Sequence, residues 1–435
     1  MKIRSDRAIW PAFRNFVRIC SYLARNGRVL NLMTLREIRY LRDISMRMKR
    51  IYSIDLTRGI VMIIMALDHV RDLMHVDSIT QSPTDLATTT PLLFFTRWIT
   101  HLCAPTFVFL AGTSAYLSFK RKNDITQSRN FLLKRGLWLV LLEFTIVNLA
   151  LFFDLGFHTL IFEVIATIGF GFIILSLLLR LPVRTIAIIG LTIIFCHNLL
   201  ALIPFGQVSM VSPPILSSLY KMAVFPLSSN RILVIGYPPI PWLGIMLAGF
   251  ASGKLFELPQ DKRRKIFLKI GGAALLLFVL LRFANIYGDP SPWSVQKTPV
   301  YTFLSFTNVT KYPPSLLFCL VMLGIMFLVL GLVEQVKNRI ADTVCAYGNA
   351  PLFYFIVHLY LIHFLLVTLL FMQGFHWGDL NFASNGFGRP KGITSGIPLW
   401  GIYLVWVGVV AVLYKPTAWF GRYKAEHKYW WLSYL

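Results

Sequence analysis

The sequence is poor in charged residues and poorest in acidic ones. Only 14% of its 435 residues are charged, with 19 Asp and Glu, whereas a soluble protein has about 25% charged residues. Hydrophobic residues make up 56%, and the mean hydropathy is +0.64. A single soluble core stops growing near ~250–300 residues. These values argue against an ordinary cytosolic enzyme or a disordered chain and predict a polytopic membrane protein.

The sequence also lacks the common motifs of soluble catalytic and metal sites. None of its five cysteines forms a C-x-x-C pair, which argues against a disulfide framework or a zinc site. The motifs G-x-x-x-x-G-K-[ST], H-E-x-x-H and G-x-S-x-G do not occur. No cleavable signal peptide is visible, because the first long apolar run starts near residue 53. We therefore expect no metal.

Residues 1–50 form a basic arm. Within it, residues 10–32 mix aromatic and aliphatic residues with four arginines, a pattern typical of an amphipathic helix on an anionic membrane surface. A poorly ordered basic tail is the alternative. The rest of the chain is interpreted as a membrane domain at 51–415 and a short basic tail at 416–435.

Long apolar runs fill the membrane domain. A membrane-spanning helix needs about 20 mostly apolar residues, and these runs are too long and too continuously apolar for barrel strands. The predicted fold is therefore an all-α bundle of ten transmembrane helices. The predicted spans are 53–74, 97–119, 136–153, 158–179, 185–203, 232–253, 266–284, 315–333, 350–372 and 398–414.

The net charge of +24 agrees with this topology. If both termini are cytoplasmic, most of the 43 Lys and Arg residues fall on the cytoplasmic side of the ten spans, as the positive-inside rule requires. The basic excess therefore predicts a membrane topology and a lipid bilayer as partner, and needs no nucleic acid.

The first span carries an unusual number of ionisable residues. Charged groups at bilayer depth cost at least a few kcal/mol each and usually mark a functional interior. Arg58 and His69 are eleven residues apart, which places them about 20° apart on one helix face and ~16 Å apart along the axis. Asp55 and Asp72 fall near the same face, while Asp68 and Arg71 are predicted to point elsewhere.

These positions suggest a division of roles along the helix. Arg58 with Asp55 would bind an anionic molecule at the cytoplasmic end. Asp72, three residues after His69, would hydrogen-bond the imidazole and fix its tautomer for proton transfer. The alternative is structural: an Asp55–Arg58 pair at the helix start and a His69 that only hydrogen-bonds a neighbour.

Further candidates lie on other spans. His101, near the outer end of the second span, is a second candidate base, or a packing histidine. Glu143 and Glu163 would line a cavity or pair with Arg58. Gly249 belongs to a G-x-x-x-G step that indicates close helix packing.

Several motifs resemble those of the transmembrane acyltransferases. The run SIDLTRG with His69 gives Arg58 and His69 the R-x10-H spacing of the acyltransferase-3 branch. The wider sequence resembles bacterial members of the heparan-α-glucosaminide N-acetyltransferase family. The similar pieces, spread over residues 53–364, are SIDLTRG, HLCAPTFVFLAGTSAYLSF, YPPIPWLGIMLAGFASG, KYPPSLLF and GNAPLFYFIVHL.

The resemblance implies an enzyme that takes an acyl group, often acetyl, from cytoplasmic acyl-CoA. It implies transfer to a hydroxyl or amine of a glycan-like acceptor on the far side. His69 would correspond to the motif histidine and Arg58 to the motif arginine. In the related glycosaminoglycan enzyme the proposed catalytic histidine precedes the second span, where His101 is the nearest histidine here. A bacterial inner membrane is the implied location.

The resulting hypothesis is an acetyl-CoA-dependent membrane acyltransferase with His69 or His101 as base, Asp72 orienting His69, and Arg58 with Asp55 binding CoA. Its rival is a secondary transporter or exporter of a small polar solute, for which buried acidic residues and broken helices are typical. A non-catalytic scaffold would leave the charges of the first span without a role. The acceptor, the acyl chain length and homo-oligomer formation stay open.

Overall fold

The computed structural model describes residues 51–202, 210–383 and 386–434. The amphipathic helix predicted within residues 10–32 lies outside these described residues. From Ser53 onward the chain forms one unit, which is predominantly helical.

The helices are numbered here in chain order. They are α1 Tyr52–Met74, α2 Pro91–Thr100, α3 Cys103–Lys122, α4 Ile125–Leu142, α5 Asn148–Phe152, α6 Val164–Leu178, α7 Val183–Cys196, α8 Pro239–Ser252, α9 Gln260–Ala284, α10 Pro299–Thr307, α11 Leu316–Val333, α12 Arg339–Asn349, α13 Pro351–Met372 and α14 Leu399–Glu426. The largest contacts are between α9 and α11, between α4 and α6, and between α8 and both α3 and α7.

The structure is that of a helical membrane protein. Within the described residues, seven helical segments are long and apolar enough to cross a bilayer by length and composition. These are Pro91–Lys122, Ile125–Phe152, Val183–Leu200, Gln260–Ala284, Leu316–Val333, Pro351–Met372 and Leu399–Glu426. Each of the ten predicted spans coincides at least in part with a helix. The count of ten and the cytoplasmic position of the termini stay predictions.

The all-α prediction is wrong in one region, which forms a three-stranded sheet. Its strands are β1 Thr159–Phe162, β2 Ala223–Ser228 and β3 Arg231–Ile235, in the order β1-β3-β2. Strand β1 is parallel to β3, with Phe162 paired to Ile235, and β2 is antiparallel to β3. These short apolar runs are rich in β-branched residues, and hydropathy does not distinguish them from the start of a helix.

Three predicted spans differ in detail. The second is two helices, α2 and α3, which meet at His101 and Leu102. The third contains a π-helical turn at Glu143–Val147. The tenth continues to Glu426, so the predicted domain boundary at 415–416 falls inside α14.

Helix α1 is surrounded by other helices, and most of its residues are buried. Arg58 contacts α3, and Cys103 Sγ is 3.4 Å from the carbonyl oxygen of Val61. On other sides, Trp406 of α14 donates to the carbonyl oxygen of Ile63 at 2.8 Å, and His69 contacts α13. The polar residues of α1 are therefore held inside the bundle.

The close packing predicted for Gly249 is confirmed. A Cβ at Gly249 would lie 2.1 Å from the carbonyl oxygen of Phe109, and one at Gly112 would lie 2.1 Å from that of Met246. Helices α3 and α8 therefore approach so closely that neither glycine has room for a side chain.

Gly249→Ala is expected to destabilise the protein by about 1–3 kcal/mol, because the new methyl group forces the backbones of α3 and α8 apart. The measurement is thermal unfolding of the purified protein in detergent. Gly272→Ala in α9 is the matched control, since a Cβ there meets nothing within 4 Å. Equal unfolding temperatures for the two variants would contradict the packing argument.

Candidate active site

The first half of α1 presents a guanidinium in a polar setting. Arg58 Nη1 lies 3.7 Å from Asp55 Oδ1, and Nη2 donates to the carbonyl oxygen of Leu110 at 3.1 Å and to the hydroxyl of Ser114. The Arg58 side chain keeps about a fifth of its surface exposed, at 19%. Arg58 and Asp55 thus form the ion pair of the structural alternative, yet the guanidinium stays accessible.

A second guanidinium lies near Arg58. Arg135 of α4 is close enough for the two positive charges to act on each other. Arg135 Nη1 donates to the carbonyl oxygen of Ser433, at the C-terminal end of the described chain, at 3.1 Å. Arg58 and Arg135 thus bring two guanidiniums to the first half of α1.

The second half of α1 presents a histidine pair. His69 Nδ1 lies 2.6 Å from Nε2 of His358, on α13, and the two rings are nearly coplanar, at 15° to each other, with their centroids 4.8 Å apart. His358 is fully buried, and His69 is half-buried. His358 was not among the site residues predicted from the sequence. Its signal was one of two histidines, with His363, in the mostly apolar α13.

The hydrogen bonds around the pair assign its tautomers. His358 Nδ1 lies 2.9 Å from the carbonyl oxygen of Tyr354, which only accepts, so this nitrogen carries the proton. In neutral His358, Nε2 is then an acceptor, and His69 Nδ1 donates to it. The Nε2 of neutral His69 is left with a lone pair, which is the form that a general base requires.

The predicted hydrogen bond between Asp72 and the His69 imidazole is not formed through Nδ1, because His69 Nδ1 is hydrogen-bonded to His358 instead. Asp72 accepts a hydrogen bond from Arg71 at 2.6 Å and lies 3.5 Å from Arg97. The contact with α13 outcompetes the local i, i+3 pairing that the sequence suggested.

Asp68, predicted to point elsewhere, is the centre of an ion cluster made of Asp68, Arg71, Asp72 and Arg97. Arg97 Nη1 lies 2.8 Å from both carboxylate oxygens of Asp68, and Arg71 Nη2 lies 2.6 Å from Oδ1. Thr100 donates to the same Oδ1 at 2.5 Å. The cluster ties α1 to α2 and balances two guanidiniums against two carboxylates.

His101 lies at the break between α2 and α3. It is buried, its ring is 5.7 Å from that of Phe318, and its Nδ1 has no hydrogen-bond partner among the described residues. The charges of Arg97 and Lys311 act on it. The structure therefore places His101 in the same polar region as His69, but no hydrogen bond joins the two within the described part of the chain.

The two glutamates have different surroundings. Glu143 is fully buried and accepts a hydrogen bond from the backbone N–H of Ala166 at 2.7 Å, so it caps the start of α6. Glu163 follows β1 and precedes α6, and Lys311 acts on its charge. Because β1 and β3 are parallel, their ends also bring Tyr237 close to Glu163, and Tyr237 N–H donates to the carbonyl oxygen of Phe162 at 3.2 Å.

Two methionines lie on α1 between Arg58 and His69. Met62 and Met65 are 1% and 5% exposed. The polar groups at the two ends of the helix are therefore separated by buried thioether side chains, which are unbranched and adaptable.

Part of the sequence that forms this site matches a known protein family. None of the curated proteins compared with this chain matches it. The family model described as "heparan-alpha-glucosaminide N-acetyltransferase, catalytic" matches residues 50–283, which is more than half of the chain and includes α1 and the ion cluster. This multi-pass membrane protein therefore belongs to the family of the heparan-alpha-glucosaminide N-acetyltransferase catalytic domain.

Proposed function

We propose that this protein is a membrane acetyltransferase that uses cytoplasmic acetyl-CoA and acetylates a hydroxyl or amine of a glycan-like acceptor at the outer side. The family supports a transferase activity. The observation that carries the mechanism is the His69–His358 hydrogen bond, because it leaves His69 Nε2 free as a base.

The donor would bind at the predicted cytoplasmic end of α1. Arg58 and Arg135 are positioned to take the CoA phosphates through charge-assisted hydrogen bonds. The pantetheine arm would then extend along α1 over the ~16 Å that separate Arg58 from His69. Met62 and Met65 lie along this path, so the arm would displace them.

The reaction would take place beside His69. The acceptor oxygen or nitrogen attacks the thioester carbonyl carbon, and its proton passes to His69 Nε2. The carbonyl π electrons move to the oxygen, which becomes an oxyanion. Re-formation of the C=O bond then breaks the C–S bond, and the CoA thiolate takes the proton from the His69 imidazolium.

Arg58→Ala tests the donor end. Loss of a charge-assisted hydrogen bond worth about 1.5–3 kcal/mol is expected to raise the KM for acetyl-CoA by about 10–100-fold. The assay incubates the purified protein in detergent with radiolabelled acetyl-CoA and D-glucosamine or neutral sugars. Arg339→Ala, at an exposed arginine of α12, is the matched control.

Two outcomes would contradict the proposal. An unchanged KM in Arg58→Ala would remove Arg58 from the donor site. Proton-coupled solute flux in vesicles without any acetyl-CoA turnover would favour the transporter. In the proposed arrangement both termini are cytoplasmic, ten helices span a bacterial inner membrane, and acyl-CoA and a glycan are the small-molecule partners.

A further inference from the structure

Lys311 is a buried lysine that forms no ion pair with the residues that the structure describes. It precedes α11, in the sequence KYPPSLLF, and is 7% exposed. Within the described residues no carboxylate oxygen lies within 4 Å of its ammonium group, which instead lies 4.9 Å from the ring centre of Tyr312 and 5.9 Å from that of Tyr237. A buried charge that is not paired is costly, so a lysine at this position calls for a function.

Lys311 differs from the neighbouring cations in its pairing. Arg71 and Arg97 each form ion pairs with the carboxylates of the ion cluster, Arg71 through Nη2 and Arg97 through Nη1, and within the described residues Nε and Nη1 of Arg71 have no hydrogen-bond partner. Lys311 contacts neither carboxylate, although its charge acts on Asp68. Aromatic rings attract an ammonium without using up its N–H donors as a carboxylate would. Its three donors are therefore available to an incoming negative oxygen.

Ring contacts connect Lys311 to the region of the candidate bases. Its neighbour Tyr237 lies 4.8 Å from the Trp242 ring, Trp242 lies 6.3 Å from Phe318, and Phe318 lies 5.7 Å from His101. The charge of Lys311 also acts on His69, on His101 and on Glu163. The hydroxyl oxygens of Tyr312 and Tyr237 lie 3.4 Å apart. His69, on α1, and Lys311, in the segment before α11, thus approach one polar region from different parts of the chain.

We propose that Lys311 is a catalytic residue whose ammonium group stabilises the oxyanion formed when the thioester is attacked beside His69. This inference rests on the proposed function. In the step concerned, the acceptor oxygen forms a bond to the carbonyl carbon while its proton goes to His69, and the C=O π pair becomes a lone pair on the carbonyl oxygen. Lys311 binds that anionic oxygen until the C–S bond breaks, and remains protonated throughout.

The test uses acetyl-CoA hydrolysis, in which water is the acceptor. Hydrolysis passes through the same kind of oxyanion but needs no glycan, so a residue that only binds the acceptor does not affect it. Release of the CoA thiol by the full-length protein in detergent is followed with a thiol reagent. D-Glucosamine is added in a parallel series to measure transfer.

Lys311→Met is expected to lower kcat by about 10²–10³-fold in both series, as loss of an oxyanion donor does, with the KM for acetyl-CoA within a few-fold of the unmodified protein. Lys311→Arg keeps the charge and is expected to retain more activity than Lys311→Met. Lys297→Met, at an exposed lysine between α9 and α10, is the matched control and is expected to leave both rates unchanged.

The outcomes separate this proposal from the proposed function. Hydrolysis at the unmodified rate in Lys311→Met overturns the catalytic role while leaving the acetyltransferase intact. A higher KM for D-glucosamine in Lys311→Met, with an unchanged rate of acetyl-CoA hydrolysis, also overturns the catalytic role and makes Lys311 an acceptor-binding residue. Absence of any acetyl-CoA turnover by the unmodified protein overturns both. Thermal unfolding in detergent tests whether Lys311→Met is folded. If Lys311→Arg loses as much activity as Lys311→Met, the role of the positive charge is contradicted.

Discussion

His69→Ala is expected to abolish measurable acetyl transfer, with a fall in kcat of about 10²–10⁴-fold, because general-base catalysis contributes that much. The KM for acetyl-CoA should change little, since the proposed phosphate contacts lie at the other end of α1. His376→Ala, at an exposed histidine after α13, is the matched control. Full activity in His69→Ala, with the protein folded, would remove His69 as the base and leave His101 as the candidate.

The same assay on His358 tests how His69 is oriented. Leucine at this position removes the acceptor for His69 Nδ1–H, whereas glutamine can replace it with its amide oxygen. The lost hydrogen bond joins a His69 that becomes charged during the reaction and is worth about 1.5–3 kcal/mol. His358→Leu is therefore expected to lower kcat by about 10–100-fold, and His358→Gln by less. The pH profile of kcat should also change in His358→Leu, which a purely structural loss would not produce. Equal activity in both variants would mean that the 2.6 Å contact does not serve catalysis.

The second large effect is expected on stability. Asp68→Ala removes the centre of the ion cluster and leaves Arg71, which is 1% exposed, with the carboxylate of Asp72, whose side chain is 39% exposed. Breaking a buried pair by removing one partner costs about 3–5 kcal/mol. We therefore expect the unfolding temperature in detergent to fall by about 5–10 °C, measured by intrinsic fluorescence during heating.

Asp261→Ala is the control for this variant. Asp261 lies near the start of α9 and accepts a hydrogen bond from Gln335 at an exposed position, so its removal should change the unfolding temperature by less than about 2 °C. If Asp68→Ala unfolds at the same temperature as the control, the cluster does not hold α1 to α2.

The sequence alone predicted much of α1. The predicted span 53–74 agrees with the helix Tyr52–Met74, since its ends follow from an apolar run and its flanking polar residues. The close approach at Gly249 was also predictable, because small residues at helical spacing indicate tight packing in a membrane protein.

The partners of the α1 side chains were not predictable in the same way. Spacing along one helix favours contacts three or four residues apart, which led to the pairing of His69 with Asp72. The observed partner, His358, is 289 residues away in the sequence, and Asp68 pairs with Arg97 across a loop. Such choices depend on which helices become neighbours, and residue spacing along a single helix does not reveal that.

The sheet was missed for a different reason. Strands β1 and β3 are four and five residues long and directly precede helices, so each appears in the sequence as the start of a longer apolar run. Their parallel pairing brings Glu163 and Tyr237 together, a proximity that no motif indicates.

The two buried methionines of α1 have a consequence for the membrane itself. A permanently open water-filled conduit between Arg58 and His69 would let protons and ions leak and dissipate the transmembrane voltage. Met62 and Met65 place buried, sulfur-containing side chains on α1 between these two residues. Such unbranched side chains can change rotamer to admit a slender organic arm and then return. In the proposed function, the acyl group would reach His69 from the cytoplasmic side without a standing leak of ions.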